Sequence, residues 1–103
     1  MSEVNKKVSG LLSMAAKAGK VASGGFMTER ALQMGQAFLV IIAEDASANT
    51  REKYINKSHY YDVPAAVCGT GEELGRLIGK ESRMTLAILD EGFAKGMIKA
   101  LES

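Results

Sequence analysis

The stretch FLVIIAED at residues 38–45 decides the fold. Its six leading residues are all apolar, with no polar residue alternating between them, so neither face of the segment is left for water. That pattern reads as a strand covered on both sides. A second such run, MTLAIL at 84–89, repeats the signature. Helical periodicity surrounds both. Val4, Val8, Leu11, Leu12 and Ala15 fall on one face of a first helix, with Lys17 in its last turn and Gly19 as the stop. Residues 20–23 form a short extended piece, and a second helix runs from about Gly25 to Met34 and ends at Gly35. Ser47 is a candidate N-cap for a third helix reaching about Lys57. Val63 precedes Pro64 in extended geometry, and PAAVC at 64–68 is a short apolar strand. Thr70 with Glu73 three residues on is a capping-box signature for a fourth helix ending at Gly79. Phe93, Met97 and Leu101 recur every fourth residue on a last helix. Helices alternating with short apolar strands predict one α/β/α domain over residues 1–103, its sheet mostly parallel.

Composition narrows the chemistry. A chain of 103 residues with 47% hydrophobic content holds one core without staples. A single cysteine, Cys68, excludes an internal disulfide framework and a cysteine cluster for zinc. It lies in an apolar segment and reads as an inert thiol. No run approaches the length of a membrane helix and MSEVNKK is not a signal peptide, so the expectation is a cytoplasmic protein without a membrane partner. The net charge is only +1. Residues 1–35 carry five Lys/Arg against two Glu, whereas residues 36–75 carry three against six acids. Any nucleic acid would therefore touch the first third and residues 80–83, over a small contact.

The segment AGKVASGGFMTERALQMG at 18–35 places a lysine and a glycine pair before a helix, as a phosphate-binding loop does. It lacks the Walker spacing, because Gly19-Lys20 is followed by Val21 and no hydroxyl is placed for magnesium. CGTGEELG at 68–75 imitates a dinucleotide fingerprint, with Asp90 closing the next strand, but Leu74 stands where the third glycine belongs. A turn followed by a capping box explains it. His59 is the only histidine, in a polar stretch suited to a surface helix end. Glu44-Asp45 and Asp90-Glu91 follow strands, where acids before a helix N-terminus are favoured by its dipole. No acid, base and nucleophile gather around one substrate, and no cofactor is implied. The expectation is a protein that is not an enzyme.

Taken in order, GKVASGG, the ALQMG helix end, FLVIIAEDAS, the VP before a short strand, ELGRLIGKESR and LAILDEGFA resemble the L7Ae/L30e family of ribosomal proteins. GKESRMTLAILDEGFAKGM is especially similar to its bacterial YlxQ branch. The resemblance covers nearly the whole chain and implies a three-layer α/β/α sandwich with a small mixed, four-stranded sheet. It also implies binding of kink-turn RNA, with ribosomal RNA a candidate partner. By the resemblance, Lys20, Gly24, Gly25, Phe26, Met27 and Arg30 would enter the groove at a kink turn's tandem sheared G·A pairs. Glu44, Asp45, Ala46 and Ser47, with Lys80, Glu81, Ser82 and Arg83, would flank a flipped-out nucleotide.

Physical chemistry supports such a site. A helix N-terminus offers unpaired amides to phosphate, and glycines let a backbone approach closely. Bent RNA exposes base edges that a regular duplex hides. Many relatives carry G-x-N-E-x-x-K at this helix; here Phe26-Met27 replace the Asn-Glu pair, and Arg30 stands for the lysine. The amide and carboxylate contacts to guanine edges are thereby lost, and Gly71 stands where relatives often carry lysine. Phe26 and Met27 either face outward, against a base or a ribosomal or other protein partner, or pack inward. Two rival readings remain: a protein-interaction module on the same fold, and a small nucleotide-binding enzyme using residues 69–75 and Asp90.

Overall fold

The computed structural model describes residues 4–102. Helix α1 (Lys6–Lys17) is followed by β1 (Val21–Ser23), α2 (Gly25–Gln33), β2 (Leu39–Ile42), α3 (Ala48–Tyr60), β3 (Ala65–Val67), α4 (Gly71–Leu77), β4 (Thr85–Ile88) and α5 (Glu91–Glu102). The four strands form one sheet in the order β1-β4-β2-β3. Only β2 and β3 are parallel; β4 runs antiparallel to both β1 and β2. The mixed sheet implied by the family resemblance is therefore correct, and the mostly parallel sheet inferred from helix–strand alternation is not. Alternation and double-sided burial mark a central strand, but neither carries its direction.

Every residue of β2 and β4 is buried. Leu39, Ile41, Leu86 and Ile88 face one core with Val8 and Leu12 of α1, Leu74 of α4 and Met97 of α5. Val40, Ile42 and Ala87 face the other, with Ala31 and Leu32 of α2 and Tyr54 of α3. The period-two alternation of a strand thus feeds two separate cores, which makes the three layers. β3 departs from this: Ala65 and Val67 are exposed, as suits an edge strand, and Pro64 just before it joins β2 only through its carbonyl, which accepts from Val40 N at 2.9 Å.

The predicted caps hold. Ser47 Oγ accepts from Thr50 N at 3.1 Å and opens α3, which runs to Tyr60, beyond the expected end near Lys57. Thr70 Oγ1 accepts from Glu73 N at 3.1 Å. The other half of that capping box is diverted, because the Glu73 carboxylate accepts from Val4 N, at 3.1 Å by Oε2. It ties the approach to α1 onto α4 instead of closing its own helix. Gly19, Gly35 and Gly79 stop their helices with positive φ, as expected of C′ glycines.

Candidate nucleic-acid interface

Strand direction sets the geometry. The end of β1, the start of β4 and the ends of β2 and β3 share one edge of the sheet. From that edge spring the tip of α2, the turn at residues 44–47, the N-terminus of α4 and the loop at 80–83. Gly24 is the N-cap of α2, with φ 89 and no side-chain cap, and its own N–H donates to Thr85 O at 2.9 Å. A residue with a Cβ is strained at that φ, which is why glycine stands there. The buried Thr28 hydroxyl, one turn on, meets that of Thr85 at 3.2 Å and fixes α2 to β4. A Cβ on Gly25 would come within 2.7 Å of Tyr54 Oη, so the glycine also admits α3.

The 80–83 loop is locked into this edge from two sides. Arg83 Nε donates to Ser23 Oγ at 3.3 Å, and its Nη1 to the carbonyls of Ser82 at 3.0 Å and Glu81 at 3.4 Å. Arg83 N donates to Gly71 O at 2.9 Å. Behind the loop, Lys80 N reaches Gly75 O and Gly79 N reaches Arg76 O, the paired bonds of a Schellman ending. A Cβ on Gly75 would clash with the Glu81 carbonyl, and one on Gly71 would meet Met84 Cε and Ser82 Oγ. Gly71 and Gly75, one turn apart, are the seat of the protein's own loop.

The glycine spacing that imitates a dinucleotide fingerprint is thereby explained by packing. Gly71 N, the amide such a loop would aim at phosphate, donates to Asp45 Oδ1 at 2.9 Å. Asp90 is engaged likewise: its carboxylate accepts from Phe93 N at 2.9 Å in the first turn of α5. Nothing in this arrangement favours the nucleotide-binding enzyme.

Most of the residues singled out by sequence meet at this edge. Phe26 is 76% exposed and Met27 46%, so the outward alternative is the observed one. Gly25, Arg30, Glu44, Asp45, Ser47, Lys80, Glu81 and Ser82 are exposed, and Gly24 and Arg83 half-buried. Two residues are placed differently. Ala46 is buried in the α2–α3 core, so it positions the turn rather than facing outward. Lys20 stands at the opposite end of β1, where its carbonyl accepts from Leu89 N. Three extended residues separate it from Gly24, about 10 Å or more at the rise of a strand.

Three contributors were not visible in the sequence. Tyr54, Ser23 and Thr85 carry no motif, and only the register of β1 on β4 brings the last two to the α2 tip. The charge of α3 was also obscured by averaging over residues 36–75. Lys57 and Lys53 reach Glu29 of α2 at 3.1 and 3.7 Å. The Lys57 hydrogen bond holds the Glu29 carboxyl below its ordinary value, and the same bond raises the lysine. Cys68, just past β3, has its thiol pushed up to about 11, first by burial and then by Glu44 and Glu73. It is protonated and unreactive near neutrality.

The fold and this edge define a class: a small three-layer α/β/α protein presenting one helix N-terminus and two loops side by side. The chain belongs to the ribosomal protein L7Ae/L30e/S12e/Gadd45 family, whose model matches residues 6–98. It is 41% identical over 92 residues to RNA-binding protein YlxQ of Bacillus subtilis, covering 89% of this chain and 92% of that protein. It is 37% identical over 103 residues to RNA-binding protein YlxQ of Enterococcus faecium, with 99% of each covered. Among solved structures, a protein of unknown function from Bacillus halodurans superposes with TM-score 0.89 at 35% identity, covering 95% of this chain and 98% of that one. The Giardia lamblia 15.5kD RNA binding protein shares the fold, with TM-score 0.79 at 21% identity over 96% and 91% of the two chains.

Proposed function

We propose that this protein binds structured RNA in the cytoplasm, without catalysis, in the manner of a ribosomal protein. Its target is a kink turn or a similarly bent RNA, held by the tip of α2 and the loops at 44–47 and 80–83. The observation that carries the reading is the joining of these three segments into one edge by Arg83–Ser23, Gly24–Thr85 and Gly71–Asp45. Membership of the family and the names of its RNA-binding relatives support it. In this reading the uncapped amides of α2 meet a phosphate, and Arg30, Lys80 and Arg83 supply charge. Recognition is of shape, because a bent backbone presents phosphates from two directions to one edge.

Few cations imply a shallow salt dependence. Three or four neutralised phosphates give a slope of log K against log salt of about −2 to −4. The test is titration of a kink-turn RNA and a straight duplex of equal length across salt concentrations. The reading expects a preference for the bent RNA that Arg30→Ala and Arg83→Ala each weaken. Lys20→Ala, at the far end of β1, should change it less. Equal, weak binding to both RNAs, unaffected by either arginine, refutes the reading. The exposed Phe26 and Met27 would then favour the rival, a protein contact on this fold.

A further inference from the structure

We propose that Phe26 is a stacking platform for an unpaired RNA base and that the site accepts any base there; the inference rests on the RNA-binding reading above. Phe26 is the second residue of α2, with its ring 76% exposed beside the half-exposed Met27. A lone exposed apolar side chain needs no explanation. This one has two arginines near it in the fold. Arg30 is four residues on from Phe26 and three from Met27, so it lies on the same exposed face of the helix. On the other side, Arg83 is anchored to Ser23, two residues before Gly25, which fixes a guanidinium beside the tip. The nearest acid on the helix, Glu29, is engaged by Lys57 and Lys53 of α3.

A planar apolar ring with arginines at hand matches a ligand that joins a flat face to an anion. A nucleotide does both, and a base already stacked in a duplex has no free face to offer. The occupant is therefore an unpaired base at a bend. Neither Phe26 nor Met27 can form the hydrogen bonds that distinguish one base edge from another. Every base has a π-face, so stacking holds the nucleotide without reading its identity.

The chain contains no tryptophan, so Phe26→Trp installs a single indole reporter at the site. The protein is titrated with a kink-turn RNA whose unpaired nucleotides are changed one at a time, to each other base or to an abasic site. At one position the abasic change should weaken binding about 5- to 150-fold, while base swaps there shift it by less than about threefold. Phe26→Ala should cause a loss of similar size that the abasic site does not deepen. Phe26→Trp should retain affinity, its fluorescence quenched by intact RNA and not by the abasic one. Phe26 is exposed, so neither variant disturbs the core. If Phe26→Ala binds as the parent does while Arg30→Ala and Arg83→Ala bind weakly, the stacking role is wrong and the RNA-binding reading stands. An indole signal that does not move while RNA is bound overturns it equally. Failure of the parent to prefer the bent RNA overturns the underlying reading instead, and leaves the ring to a protein partner.

Discussion

Replacing Gly75 by alanine separates packing from helix propensity at the point where the site loop is seated. In an exposed helix interior the change is stabilising by about 1 kcal/mol, because glycine loses more backbone freedom on folding. Gly10 in α1 is such a position: a Cβ there meets nothing within 4 Å. At Gly75 a Cβ would lie 2.5 Å from the carbonyl carbon of Glu81 and 3.1 Å from the carbonyl oxygen of Lys80. Both are backbone atoms, so no rotamer change relieves the overlap. Carbon atoms in comfortable contact sit about 3.5–4.0 Å apart, so the loop must retreat by about 1 Å. Overpacking of this kind costs about 1–3 kcal/mol, and the propensity gain offsets part of it. The net expectation for Gly75→Ala is a loss of up to about 2 kcal/mol, a fall in Tm of up to roughly 15 °C for a domain of this size. Gly10→Ala should instead raise Tm by about 4–8 °C. Loop retreat also pulls Arg83 from Ser23, so RNA affinity should fall about tenfold, the value of one charge-assisted hydrogen bond. Calorimetry of both variants beside RNA titration decides the matter. A Tm that rises in both refutes the claim that the 80–83 loop rests on the bare backbone of Gly75.

Two further outcomes concern the interior. Thr28→Val or Thr85→Val alone should cost about 1–3 kcal/mol in denaturant unfolding, since each strands a buried hydroxyl; the double variant should cost less than the two singles together. Cys68 has a folded pKa, about 11, above the thiol's usual value of 9.0. Below pH 9 both states hold the proton; between 9 and 11 the unfolded state releases it first, so this contribution to stability falls with rising pH. Tm of the parent should therefore drop more steeply across that window than Tm of Cys68→Ala, and alkylation of the native thiol should stay slow until the upper end of it.

The elements were largely legible because their signals are local. FLVIIA and MTLAIL show double-sided burial whatever their neighbours, Ser47 and Thr70 announce caps, and Gly19, Gly35 and Gly79 mark the ends of helices. Strand direction was not legible. A buried strand is apolar on both faces in either orientation, and the antiparallel fit of β4 is set by connections that no window of sequence contains. The site divides in the same way. Exposure of Phe26 and Met27 follows from their place in the first turn of an amphipathic helix whose buried face is carried by Thr28, Ala31 and Leu32. The grip of Arg83 on Ser23 spans sixty residues and depends on register. Lys20 is only four residues before the glycine pair yet stands away from it, because the extended strand β1 carries the chain between them. Gly71 and Gly75 mimic a phosphate loop since close backbone approach selects glycine whether the approaching backbone is RNA, a nucleotide or the protein itself.

The central place of β4 has a consequence for biosynthesis. It is the fourth strand to be made, yet it lies between the first and the second and joins them. Until residues 85–88 have left the synthesising ribosome, β1 has no strand to pair with and LVII of β2 has one bare edge. The nascent chain thus carries a sticky apolar ribbon whose hazard ends only when β4 has emerged to cover it. A product released before that point would contain all three docking segments but not the strand that brings them to one edge.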